Sequence, residues 1–139
     1  MQIKEIMARQ VITIRPEETV AAAARRMAQA SIGCLVVANA GAVKGIITDR
    51  DLAVRCIAEG DDPRQCTVAQ HMTTALVTAS PTMDVLDAAH LLVQRRVKRL
   101  PVVEEERLVG LVSLSDIAQA LDQPLHDLLL GMGAARRAA

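Results

Sequence analysis

The 139-residue sequence contains no phenylalanine, tyrosine or tryptophan. Its core must therefore be built from aliphatic side chains, methionine and alanine, and 51% of the residues are apolar, which is enough. Stacking of nucleic-acid bases on aromatic rings is excluded, which weakens any model of single-strand binding. The net charge is zero, which argues against a protein that attracts polyanions through an overall positive electrostatic field.

Cysteine is scarce, and membrane-targeting patterns are missing. Cys34, Cys56 and Cys66 are odd in number and form no CxxC pair, so the spacing indicates neither a zinc site nor a disulfide framework. We therefore expect a reduced, cytoplasmic setting. No apolar run reaches the roughly 18 residues of a membrane span, and the polar N-terminus does not resemble a signal peptide.

What the sequence does contain is an internal repeat. Residues 3–53 align with residues 68–118 at a constant offset of 65, with identity at about one position in four. Neither half, at about 60 residues, would bury much core alone. We predict one domain made of two halves, residues 1–60 and 61–122, followed by a short C-terminal segment, 123–139.

Hydrophobic periodicity predicts the element order β-α-β-β-α in each half. In the first half we expect a short helix at 3–9, strands at 11–14, 35–38 and 43–48, and helices at 19–30 and 49–59. In the second half we expect a linker helix capped by Thr67, strands at 76–79, 100–103 and 107–112, and helices at 84–96 and 115–121. An amphipathic piece starting at Pro124 should precede a tail that frays.

Both halves end in the same chemical pattern. The first has Gly45-Ile-Ile-Thr48-Asp-Arg-Asp51, and the second has Gly110-Leu-Val-Ser113-Leu-Ser-Asp116. A hydroxyl at a strand end and the N–H groups of the following helix suit a phosphate, and a carboxylate suits the hydroxyls of a ribose. The alternative is that these residues only cap the helix. Both interpretations stay open, although a simple cap does not require the second carboxylate at a repeated offset.

Basic residues near this pattern allow similar alternatives. Arg50 is either a phosphate ligand or a surface arginine, and its counterpart is Ser115. The run 95–99 could bind a polyphosphate or nucleic acid, but we favour a solvated helix end, where cations complement the dipole. Lys98 and Arg99 would then lie at a cleft.

The sequence offers no support for catalysis. It has no nucleophilic triad, P-loop or zinc-protease motif, and its carboxylates have no evident general-acid partner. We therefore predict that the protein is not an enzyme. The three histidines share no metal-ligand spacing, so we expect structural or surface roles and no required metal for His71, His90 and His126.

Together these features resemble a pair of CBS domains (the cystathionine-β-synthase type, paired as a Bateman module). The resemblance covers residues 3 to about 121 and is strongest to small bacterial stand-alone pairs of the hypoxic-response type. It implies an α/β (α+β) fold of two repeats related by a pseudo-twofold axis. It also implies a regulatory module that senses AMP, ADP, ATP, NAD(H) or S-adenosylmethionine, forms a homodimer and acts on an unknown partner.

Carried over by position, the resemblance implies two clefts. Phosphate and ribose would be bound by Thr48 and Asp51 in one cleft, and by Ser113, Ser115 and Asp116 in the other. Adenine would contact the segments before the second strands, Ile32-Gly33-Cys34 and Val97-Lys98-Arg99. The pockets would be closed by the exits of the first strands, Thr13, Ile14 and Pro16, and Thr78, Ala79 and Pro81.

The two sites are expected to be unequal. Gly33 corresponds to Lys98, and Val36 stands where the family usually has proline, whereas its counterpart Pro101 keeps the pattern. Two alternatives remain for the whole protein. One is an interaction module with vestigial clefts, and the other is a weak nucleic-acid binder.

Overall fold

The computed structural model describes residues 1–121, so the predicted C-terminal segment from Pro124 onward lies outside the described residues. The first half contains β1 (Thr13–Ile14), α1 (Val20–Ala30), β2 (Cys34–Asn39), β3 (Ala42–Thr48) and α2 (Asp49–Asp51), which continues as a π-helical segment (Leu52–Ile57). The second half contains α3 (Val68–His71), α4 (Val85–Arg95), β4 (Arg99–Glu104), β5 (Arg107–Ser113) and α5 (Leu114–Leu121). The predicted α+β fold is confirmed.

Each half is built on an antiparallel hairpin. In β2–β3, Cys34 pairs with Thr48, and in β4–β5, Arg99 pairs with Ser113 at the equivalent place. The hairpins form because their inner strands are apolar and β-branched, and residues 34–38 of β2 are all buried. The register therefore brings the start of one strand beside the hydroxyl that ends the next.

The first strand of each half is shorter than the sequence pattern predicted. β1 has two residues, which pair in parallel with Val36 and Val37 of β2. The strand predicted at 76–79 is reduced to one parallel bridge between Ala79 and Val102. Only Ala79 can pair there, because its N–H and carbonyl bond to Pro101 and Val103 while the residues before it run along a cleft.

Two predicted helices also differ from the structure. The helix expected at 3–9 is a single 3-10 turn at Ile3–Glu5, because Ala8 leaves the helical path to pair with Leu111 of β5. The helix expected at 49–59 changes to π geometry after Asp51. Its last turn closes through a bond from Ala58 N to Ala53 O at 2.8 Å, before Gly60 turns the chain with φ +79°.

The two halves exchange their N-terminal segments. Ile3 and Met7 belong to the apolar core of the second half, whereas Val68 belongs to the core of the first half, with Met72 packed against it. The motif glycines permit this packing. A Cβ added at Gly110 would lie 2.5 Å from Met7 Sδ, and one added at Gly45 would lie 2.8 Å from Met72 Sδ. The predicted division of the chain at residue 60 remains a prediction. It separates the halves in sequence, but each core contains residues from both sides of it.

No helix within residues 1–121 has both the length and the apolar character needed to cross a bilayer.

Candidate ligand cleft

A cleft of about 670 Å³ lies where the two halves meet. One wall is formed by the end of β3 and the first turn of α2. The rest of the lining comes from residues 96–99, which connect α4 to β4, and from the segment 73–77, whose Thr73 pairs with Ile46 of β3. The volume falls within the range of small-molecule sites in proteins, about 300–1,000 Å³. A ligand there would touch both halves at once.

Thr48 and Asp51 bind each other at one wall of this cleft. Thr48 N donates to Asp51 Oδ2 at 2.9 Å, and Asp51 N donates to Thr48 Oγ1 at 3.2 Å. Ser113 and Asp116 repeat the pair at 2.8 and 3.1 Å. This is a reciprocal capping box, which uses the carboxylate as well as the hydroxyl. Contrary to the expectation from the sequence, the cap itself therefore uses the carboxylate in both halves.

The cap nevertheless leaves one function free on each side chain. Because the Thr48 hydroxyl accepts a bond from Asp51 N, its own proton remains available for donation. Asp51 Oδ1 is not used by the cap and lies 3.6 Å from Arg55 Nε, and the Asp51 side chain is 15% exposed. The same residues can thus cap the helix and hold a ligand simultaneously.

Cations outnumber carboxylates along the cleft. Its lining includes two acidic residues, Asp49 and Asp51, and four basic residues, Arg50, Arg96, Lys98 and Arg99. Within residues 1–121, none of these four cations lies within 4.0 Å of a carboxylate oxygen. The cleft therefore offers positive charge that an anionic ligand can neutralise.

Cys34 lies at the base of the cleft and is buried. Burial raises the pKa of its thiol above the usual value, the Arg99 guanidinium opposes this shift, and the carboxylates of Asp51 and Asp49 add to it. The raised pKa favours the neutral thiol, so Cys34 serves as a packing group beside the cleft.

The two halves differ where the predicted adenine segments begin. A Cβ at Gly33 would lie 2.8 Å from Asp49 Oδ2. Lys98 and Leu114 occupy the positions equivalent to Gly33 and Asp49. The same backbone hydrogen bond joins the two positions in both halves. Asp49 N donates to Gly33 O at 2.9 Å, and Leu114 N donates to Lys98 O at 2.8 Å. One half thus combines glycine with a carboxylate where the other combines lysine with leucine.

The structure gathers eight of the predicted site residues, drawn from both halves, in this one cleft. They are Gly33, Cys34, Thr48, Arg50, Asp51, Val97, Lys98 and Arg99. Seven further lining residues were not among the predicted site residues. Four of them belong to no motif and come to the cleft because Thr73 pairs with Ile46, namely Thr73, Ala75, Leu76 and Val77. The other three, Ile46, Asp49 and Arg96, lie in the first motif or in the basic run.

The other predicted residues lie elsewhere. Ile14 and Ala79 are core residues, 1% and 3% exposed, so only their backbones could reach a ligand. The carbonyls of Pro16 and Pro81 accept bonds from the exchanged segments, from Ala69 N and Lys4 N. Three of the remaining predicted residues are exposed, namely Ile32, Thr78 and Ser115, and three are half-buried, namely Thr13, Ser113 and Asp116.

Two stretches of the chain, residues 3–57 and 68–123, each match the CBS domain. The chain belongs to the CBS domain family. This confirms the resemblance noted from the sequence. CBS domain-containing protein YhcV of Bacillus subtilis is 41% identical over 116 residues, which cover 84% of this chain and 82% of that protein.

Two further relatives bear on the type of CBS pair. Hypoxic response protein 1 of Mycobacterium tuberculosis is 30% identical over 121 residues, or 86% of this chain and 85% of that protein. A crystal structure of that protein with two coordinated zinc ions has a TM-score of 0.80. The CBS pair of protein MJ0100, solved with 5′-methylthioadenosine and S-adenosyl-L-methionine, has a TM-score of 0.78 at 26% identity, over 87% of this chain and 95% of that one.

Proposed function

We propose that this CBS pair binds an adenine nucleotide in the cleft between its halves and acts as a regulatory module without turnover. The observation that carries the proposal is the set of four cations that line the cleft together with Thr48 and Asp51 and have no carboxylate partner within residues 1–121. The adenosyl ligands of the MJ0100 pair support the ligand class. The cations favour a phosphate-bearing member of it, such as AMP, ADP, ATP or NAD(H).

Each part of a nucleotide has a matching group in the cleft. Asp51 Oδ1 accepts from the ribose hydroxyls, while the Thr48 hydroxyl and Arg50 donate to phosphate oxygens. The adenine ring lies against aliphatic walls that include Ile46 and Val77, because the chain has no aromatic side chain to stack on it. No step of this binding requires bond breaking, which is consistent with the absence of a catalytic motif from the sequence.

The proposal is tested by calorimetry and thermal melting with AMP, ATP, NADH and adenosine. A ligand that binds only the folded state raises the apparent Tm in proportion to the logarithm of its concentration. We expect saturable heat and a higher Tm for the nucleotides. Absence of both heat and a Tm shift at millimolar nucleotide would overturn the proposal.

Absence of nucleotide binding would favour the alternative of an interaction module with vestigial clefts. The capping box is the specific observation in favour of this alternative, because it explains the Thr48–Asp51 pair with no ligand at all. Nucleic acid is a weaker candidate. Arg95 ends α4 and Arg96 is its left-handed C-cap with φ 53°, which is the solvated helix end that the sequence favoured.

We further propose that the protein is a homodimer assembled through its helices. α4 exposes Leu86 and Val93, at 54% and 72%, and the π segment exposes Val54 and Ile57, at 45% and 64%. Such apolar helical faces suit a twofold contact. A ligand with different affinities for two arrangements of the dimer would then shift the equilibrium between them. Light scattering at micromolar concentration tests this, and a monomeric mass with and without nucleotide would exclude it.

A further inference from the structure

A second group of reactive side chains lies outside the cleft. Cys56, Cys66 and His71 are separated by ten and five residues, a spacing that indicated no metal site in the sequence. In the structure, one ligand atom from each of the three lies within 4.8 Å of the others. The two Sγ atoms are 3.2 Å apart. The fold therefore assembles a cluster that sequence spacing concealed.

Each member of the cluster is held by a different piece of backbone. Cys56 is buried in the π segment, and its carbonyl accepts a bond from Asp61 N at 3.1 Å after the Gly60 turn. Cys66 N donates to Asp62 O at 3.0 Å, which fixes the loop that returns the second thiol. His71 ends α3 and is 8% exposed. Three separately anchored donors thus point at one place.

The cluster is accessible from one side. A depression of about 490 Å³ is lined by Cys66, His71, Asp61 and neighbouring polar residues. His71 Nε2 lies 3.4 Å from Asp61 Oδ2, on a side chain that is half exposed. A small ion could therefore reach the Cys66 thiol and the His71 imidazole from this side. The buried Cys56 thiol lies 3.2 Å from Cys66 Sγ, and the Asp61 carboxylate is a further oxygen donor.

We propose that Cys56, Cys66 and His71 form a binding site for a thiophilic divalent metal, with Zn²⁺ as the preferred ion and Asp61 or water as the fourth ligand. Thiolate with imidazole selects such metals over Mg²⁺ or Ca²⁺, which prefer all-oxygen sites. Tetrahedral zinc with Zn–S bonds of about 2.3 Å places two sulfurs roughly 3.8 Å apart. The thiols need to separate by only about half an ångström to reach this geometry.

Without metal, the Cys56 and Cys66 thiols lie within hydrogen-bonding distance of each other. The Cys56 thiol approaches the carbonyl of Asp61 at 3.7 Å. Burial, with the adjacent Cys66 thiol adding to it, raises the pKa of Cys56 to about 11. Metal must therefore displace protons as it binds. The bound metal would also link the π segment to His71 at the end of α3. Thr73, two residues further along the chain, lines the cleft.

The test uses the full chain, reduced and freed of metal. Co²⁺ serves as the spectroscopic probe, and Zn²⁺ is titrated in competition with a chromogenic chelator. We expect one equivalent of Co²⁺ to give a thiolate charge-transfer band and intense tetrahedral d–d bands, both abolished by Zn²⁺. Zn²⁺ should also raise the Tm, since it binds the folded state.

Cys66→Ser and His71→Gln should each weaken Zn²⁺ binding at least 10-fold, as loss of even an outer-shell partner costs about 10–100-fold. His90→Gln is the matched control, because His90 is an exposed histidine on α4, outside the cluster, and its loss should leave metal binding unchanged. Melting curves without metal identify any variant that fails to fold, and two independent variants keep the test decisive.

Three results would overturn the proposal. The first is a reduced chain that gives no tetrahedral Co²⁺ spectrum. The second is Zn²⁺ binding that survives in both Cys66→Ser and His71→Gln. The third is a Cys56–Cys66 disulfide, seen as a loss of two hydrogens in the intact mass, together with no metal binding after reduction.

Discussion

The Asp49 carboxylate packs directly over Gly33, so that a Cβ at position 33 would lie 2.8 Å from Asp49 Oδ2. Asp49 is held there because its Oδ1 accepts from Arg50 N at 2.9 Å and its own N–H donates to Gly33 O. A side chain at position 33 would thus have to displace the carboxylate of an exposed neighbour, whereas the backbone there is not left-handed. In the second half, Lys98 and Leu114 stand at the positions of Gly33 and Asp49.

The first prediction follows from this contact. Gly33→Ala should destabilise the parent chain but not an Asp49→Ala chain, where the space is free and alanine also restricts the unfolded state. The two effects should differ by about 0.5–1 kcal/mol. Urea unfolding of the four chains measures this coupling. Equal effects of Gly33→Ala in both backgrounds would show that the contact carries no energy.

The second prediction concerns the ribose. Asp51→Asn retains an oxygen that can cap the helix but removes the charge, so it should weaken nucleotide binding by about 1.5–3 kcal/mol, the range for a hydrogen bond to a charged group. Calorimetry with AMP measures the loss. Asp116→Asn is the matched control, because it alters the identical cap in the other half. Equal losses from the two variants would contradict the assignment of Asp51 to this cleft.

The third prediction separates phosphate from nucleoside. Arg50 is exposed at the cleft and makes no ion pair with residues 1–121. Arg50→Ala should therefore weaken ATP several-fold more than adenosine, and added salt should reduce that difference. Arg25→Ala, an exposed arginine on α1, controls for net charge. If adenosine and ATP lost affinity equally, Arg50 would have no phosphate role.

The fourth prediction concerns acid stability. The Arg26 guanidinium, together with a bond from Arg15 N, lowers the pKa of Glu18 below its usual 4.5. Arg26 Nη2 lies 2.9 Å from Glu18 Oε1. A lowered folded-state pKa means that the unfolded chain takes up the proton first. The stabilisation is complete above pH 4.5 and is lost as the pH falls through the folded value.

Glu18→Gln should accordingly destabilise the chain at pH 6, and its deficit relative to the parent should be smaller at pH 3. Urea unfolding at both values measures this decrease. Glu17→Gln is the control, because Glu17 is exposed and its ion pair within residues 1–121 is a single long contact with Arg15, at 3.6 Å. A Glu18→Gln deficit that stayed constant between the two pH values would show that charge is not the cause.

The sequence predicted the elements that have a local pattern. Val20, Ala23 and Met27 recur at helical spacing and are buried in α1, and the β-branched runs form the two hairpins. The π segment was missed because an i to i+5 bond has no distinct hydrophobic period. The capping pattern was found but misjudged, since its carboxylate serves the helix as well as any ligand.

What the sequence could not predict depends on distant residues that meet only in the fold. Met7 packs beside Gly110, and His71 reaches Cys56 only because the Gly60 turn and the following loop reverse the chain. The cleft likewise combines Thr48 with Lys98 from the other half. Such pairs leave no periodic trace in a single sequence.

The exchange of N-terminal segments has a consequence for how the chain unfolds. A cut within residues 60–66 would yield a first fragment that carries Ile3 and Met7, which complete the core of the other fragment. The second fragment would carry Val68, which completes the first core. Each fragment alone would expose the apolar surface that its missing cover protects, so the two should fold only when mixed, and the intact chain should melt in one cooperative transition.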